Sequence, residues 1–168
     1  MSISMYQASV PVLIRSLTNL RAILVKAAAH AEARKIEPAT LLNSRLYPDM
    51  FTLTRQVQTA SDMAKSCASR LAGVEPPKFE DNEASFADLL ARLDKTIAHL
   101  KTFKPEQIDG SEDRAIELKT PRGPLNFKGM PYLLYFLMPN FFFHVATAYG
   151  ILRHNGVELG KLDYLGGA

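Results

Sequence analysis

The residues best equipped for chemistry lie near the C-terminal end, in Pro139-Asn140-Phe141-Phe142-Phe143-His144. Asn140 and His144 stand four apart, a spacing that puts both on one face of a helix. A same-face pair can supply two metal ligands when a neighbouring helix completes the set. Imidazole is a strong ligand, but asparagine offers a neutral carbonyl oxygen that suits zinc or nickel poorly. The competing reading is a buried His144 hydrogen-bonded to a neighbour such as Gln56, with Asn140 serving main-chain groups near Pro139. His154 follows His144 by ten positions, roughly 80° round a helix, too far to share an ion, and it suits the carbonyls of a last turn.

Other chemistries find little support. The sole cysteine, Cys67, falls in a stripe of small apolar residues, which predicts inert burial, and one cysteine allows no internal disulfide. There is no Gly-x-Ser-x-Gly elbow, phosphate loop, dinucleotide fingerprint or pair of Glu-x-x-His motifs. Basic residues are scattered and the formal charge is only +3, so no nucleic-acid face is expected.

The elements that must position Asn140 and His144 read as helices. A first runs from about Ser4 to Arg34, with Val12, Leu13, Leu17, Leu20, Leu24 and Ala28 at helical spacing and His30 near its exposed end. After a connector opened by Pro38, Asp49 is a candidate N-cap for a second helix from Met50 to Ala72, closed by Gly73. Gln56 and Gln58 both lie in that helix, and periodicity does not separate them. Ser85 and Asp88 form a capping-box pattern for a third helix ending near Phe103, with His99 on its solvent side. Ile116, Leu118, Leu125 and Phe127 alternate about Pro121-Arg122-Gly123, the pattern of a β-hairpin lying across one end of the helices. Pro131 opens the last helix, which stops at Asn155-Gly156, and the glycine-rich tail is expected to be extended or frayed.

The 168 residues fit one domain, 1–168, of the all-α class: an up-down four-helix bundle with a small β-hairpin before the last helix. No membrane span is expected; Leu133–Tyr149 comes nearest and is interrupted by Pro139, Asn140 and His144. The first residues lack the order of a signal peptide, so a cytoplasmic location is expected.

Pro48-Asp49-Met50-Phe51, Arg55-Gln56-Val57-Gln58, the Pro139–His144 run and Ile151-Leu152-Arg153-His154-Asn155-Gly156-Val157 resemble the domain-of-unknown-function family nineteen ninety-three. Ser4-Met5-Tyr6-Gln7-Ala8-Ser9-Val10-Pro11 fits it too. The resemblance implies the DinB and YfiT-like superfamily of metal-dependent enzymes, which often dimerise. There, one histidine of the second helix joins a His-x-x-x-His pair on the last. By that likeness His144 is the second histidine of the pair, Asn140 replaces the first, and Gln56, with Gln58 as the alternative, replaces the third. The expectation is a polar pocket at Gln56, Asn140, His144 and Gln58, left from a degenerate metal site and binding a small molecule with no cofactor. The alternatives are a divalent zinc or nickel ion on His144, Asn140 and Gln56 serving a hydrolase or transferase, and a structural or partner-binding homodimer.

Overall fold

Ser4 fixes where the first helix begins. Its hydroxyl accepts from Gln7 N while the Gln7 side chain accepts from Ser4 N, so two otherwise orphaned donors at the start of α1 (Met5–Arg34) are satisfied. The helix ends where Lys35 turns left-handed at φ 54°. Among the described residues it is α1, and not Leu133–Tyr149, that by length and composition alone is apolar enough to cross a membrane. Its apolar side, with Leu13, Leu17, Leu20 and Leu24, faces the protein core.

After the short α2 (Pro38–Leu42), the second long helix, α3 (Leu53–Ala72), starts later than Asp49 predicts. Thr52 is the N-cap, its hydroxyl accepting from Arg55 N at 3.3 Å. Leu53 N donates to Ser44 O at 2.9 Å and Met50 N to Tyr47 O, so the segment around Asp49 is held as a turn and carries Phe51 outside the helix. The expected capping box is present on α4 (Phe86–Leu100): Asp88 N donates to Ser85 Oγ, and Ser85 N to Asp88 Oδ2 at 2.9 Å. The computed structural model describes residues 2–121 and 123–167; Arg122, in the expected hairpin turn, lies outside the described residues.

A short α5 (Pro105–Ile108) leads to an antiparallel hairpin of β1 (Ala115–Thr120) and β2 (Gly123–Lys128), in which Ile116 faces Phe127 and Leu118 faces Leu125. Only β1 buries its alternating face, through Ile116 and Leu118. The turn of α6 (Gly129–Pro131) follows, and here the backbone passes very close to the preceding loop. A Cβ at Gly129 would stand 1.9 Å from the Ser111 carbonyl oxygen, so glycine is required.

The last helix is not uniform. Tyr132–Leu137 form a π-helical run before α7 (Met138–His154). Pro139 accounts for the change: it has no N–H to close an α turn, and its ring crowds the carbonyls behind it. Asn140 Nδ2 donates to Phe136 O at 2.6 Å and so supplies a donor at this break. α7 packs on α3, α3 on α4, and α4 on α1. The tail is also helical where extended chain was expected. α8 (Lys161–Leu165) lies on α1, with Asn19 Nδ2 donating to Tyr164 O and Lys26 paired with Asp163 at 2.6 Å.

A charged network fastens the loop between α3 and α4. Arg92 is 4% exposed; its Nη2 donates to Asp62 at 2.7 Å and its Nη1 to Glu83 at 2.8 Å and to Glu80 O at 3.0 Å. Asp81 lies 3.0 Å from the same Nη1 and also pairs with Arg55. Arg92 Nε donates to Ser61 Oγ, Ser61 is bonded to Thr96, and Thr96 donates to Arg92 O, so the chain of hydroxyl protons is fully assigned. Burial alone lowers the Arg92 pKa, but Glu83, Asp62 and Asp81 outweigh it and the net shift is upward.

Candidate functional site

α3 and α7 bring Gln56 and His144 together. Both are buried, and Gln56 Oε1 lies 2.7 Å from His144 Nδ1. The other end of the Gln56 amide settles its orientation: Nε2 donates to Phe51 O at 3.4 Å, which turns Oε1 toward the imidazole. Nδ1 therefore carries the proton, and the lone pair of the neutral ring sits on Nε2. Among the described residues nothing hydrogen-bonds to that Nε2, and it is not one of the buried polar atoms left without a partner, so it meets solvent.

Two aromatic rings pack against the imidazole. Phe51 stacks on the imidazole with centroids 6.2 Å apart and planes 13° apart, and Phe143 meets it edge-on at 5.4 Å. Both are substantially exposed, Phe51 48% and Phe143 54%. Arg55 lies over the Phe51 ring, 5.8 Å from its centre. Burial, and secondarily the Arg55 charge, lower the His144 pKa, keeping the ring neutral near pH 7.

The other predicted site residues are placed elsewhere. Asn140 is half-buried, and its amide is tied back to Phe136 O on its own helix, with no hydrogen bond to His144 or Gln56. Gln58 belongs to the Arg92 network: its Nε2 donates to Glu83 at 2.8 Å and its Oε1 accepts from Arg55 at 3.4 Å. Two positions on a helix differ by about 200°, so Gln56 and Gln58 serve opposite sides of α3. The expectation that His99 faces solvent is corrected. It is partly buried, hydrogen-bonded to Ser69 Oγ at 3.1 Å and edge-on to Phe103, and burial lowers its pKa. Cys67 is buried and free, and burial pushes its thiol far above the ordinary range, as its small-residue stripe predicts.

Sequence reasoning missed Phe51 as a ring partner, because its place depends on where α3 begins. It also missed Arg92, whose signal was available: a charge three positions after Leu89, on the buried side of α4.

The donor set does not fit a divalent metal. It offers one imidazole nitrogen and two neutral amides; one amide oxygen already accepts from the imidazole, and the other amide is bound to its own helix backbone. Among the described residues no group of three or more His, Cys, Asp or Glu is arranged to hold an ion.

The chain matches the family described as Domain of unknown function (DUF1993) over residues 5–165, and it belongs to that family. A solved structure, a DinB family member protein from Shewanella denitrificans, is similar to it with a TM-score of 0.89 and 41% sequence identity. The match covers 97% of this chain and 92% of that one. No curated protein matches.

Proposed function

We propose that this DinB-like domain binds a small molecule through His144 Nε2 and holds no metal on Gln56, Asn140 and His144. The observation that carries the reading is the 2.7 Å bond from His144 Nδ1 to Gln56 Oε1, which fixes the tautomer of a ring that burial keeps neutral and leaves the lone pair on Nε2 free, with Phe51 and Phe143 packed on the same imidazole. A flat ligand with an N–H or O–H donor matches that lone pair. The reading includes an up-down four-helix arrangement of α1, α3, α4 and α7. It is supported for α3 and α7 by the pairing of Gln56 with His144 and of Arg70 with Tyr132, which makes the two helices antiparallel.

A second reading, a homodimer, is favoured by the exposed Tyr47, Phe51 and Phe143. Three measurements on untagged protein separate these readings from a metalloenzyme. Titration with phenols and anilines should move the His144 ring resonances in NMR spectra, and His144→Phe should abolish the response. Elemental analysis should find no stoichiometric zinc, nickel or iron. Sedimentation over a range of concentrations reports the dimer. An unresponsive His144 ring, or a stoichiometric metal lost in His144→Ala, refutes the small-molecule reading; a monomer throughout refutes the dimer.

A further inference from the structure

Tyr132 and Arg70 make a second polar pair between α3 and the last helix, away from His144. Tyr132 is fully buried and opens the π-helical run; its hydroxyl accepts from Arg70 Nη1 at 3.2 Å. The phenolic proton is given to no described residue. Arg70 is half-buried, and that single hydrogen bond is the one its guanidinium makes among the described residues, with no carboxylate paired to it. A guanidinium presents five N–H donors in a planar fork, so most of its capacity at this place is unused.

The pair borders a cleft of about 190 Å³. On the α3 side Met63, Ser66 and Arg70 recur at helical spacing; on the other side the π-helical run presents Tyr132, Phe136 and Leu137. A π turn spaces side chains four and five apart, and it is this widening that sets Tyr132, Phe136 and Leu137 along one wall. Asp62 also reaches the cleft, but its carboxylate is already matched by Arg92 and Lys65. Ser66 and Arg70 line a neighbouring cavity of about 710 Å³ as well, so the guanidinium stands where the two spaces meet.

We propose that the Arg70–Tyr132 cleft binds a small carboxylate with a compact apolar body. The carboxylate takes the open fork of Arg70, which the buried Tyr132 hydroxyl holds in place from behind, and the apolar part lies against the part-exposed Met63 and Phe136. Arginine and carboxylate match as planar, two-point partners. The cleft is smaller than sites that enclose drug-sized ligands, so it fits a single ring or a short chain. Burial pushes the Tyr132 phenol up to about 12, so it stays protonated at neutral pH.

Benzoate, with benzamide as its uncharged counterpart, tests the proposal on the full chain by amide and side-chain NMR titration. Benzoate is expected to give saturable shifts centred on Ser66, Arg70 and Tyr132, with millimolar affinity. Benzamide should bind about tenfold more weakly. Arg70→Met should abolish the response, Arg70→Lys should retain part of it, and Tyr132→Phe should weaken it severalfold with the fold intact. His144→Phe should leave it unchanged, so failure here and failure of the His144 reading are distinguishable. The proposal is overturned by benzoate shifts that do not saturate or lie elsewhere, by equal binding of benzamide, or by an Arg70→Lys variant that folds and binds no less tightly than wild type.

Discussion

Replacing Arg92 with methionine keeps most of the side-chain stem and removes the charge at the centre of the α3–α4 network. The loss is not a sum over its partners. Asp62 and Asp81 are more than a third exposed, at 35% and 37% of their side chains, so water screens them and each contributes little. Glu83 differs: its side chain is 8% exposed, and without Arg92 it keeps, among the described residues, only the Gln58 amide as a close donor. Removing one member of a buried ion pair costs about 3–5 kcal/mol, and relaxation of the exposed loop favours the lower end. We therefore expect about 3 kcal/mol, equivalent to a fall in Tm of roughly 6–12 °C for a domain of this size. Urea unfolding followed by circular dichroism measures it, and pairing Arg92→Met with Glu83→Gln should recover more than about 1 kcal/mol in a double-mutant cycle. A loss under about 1 kcal/mol, or strict additivity with Glu83→Gln, would refute the claim that a buried charge pair fastens this loop.

His144 and His99 both have pKa values lowered in the folded protein, chiefly by burial, with Arg55 acting on the first and the Lys65 charge opposed by the Lys65 carbonyl on the second. Their contribution is complete above the unfolded histidine value of about 6.5 and is lost as pH falls through the folded values. Stability should decline below about pH 6.5 by at most ~1.4 kcal/mol per pH unit for each histidine, and His144→Gln should flatten the slope; an unchanged slope in urea titrations would contradict this. Gly129→Ala should destabilise by about 1–3 kcal/mol, because the added methyl meets the Ser111 carbonyl and one backbone segment must move. A urea midpoint equal to wild type would show that the segment yields freely.

The long helices were legible because their apolar residues repeat at the helical period and their caps are local: the Ser85–Asp88 box needs nothing outside its own four residues. The start of α3 was not, because Thr52 wins over Asp49 through a tertiary bond from Leu53 N to Ser44 O. Pairing of Gln56, not Gln58, with His144 depends on how two helices are rotated, which periodicity in a stripe of small residues leaves open. The bland reading of His144 and Asn140, a hydrogen-bonded histidine and an asparagine serving the backbone near Pro139, describes their observed bonds. That Nε2 is left without a hydrogen bond among the described residues had no sequence signal, since it depends on how α3, α7 and the Phe51 turn pack round the ring.

The π-helical run has a consequence for chain length. Such a run holds surplus residue compared with an α-helix over the same rise, so Tyr132–Leu137 is the place where the last helix can lose a residue by tightening and still present His144 to Gln56. Losing a residue between Pro139 and His144 has no such remedy: it would swing the imidazole about 100° round α7 and away from its partner. The phase of the whole final helix is thus counted from Pro139 onward, with the slack stored just ahead of it.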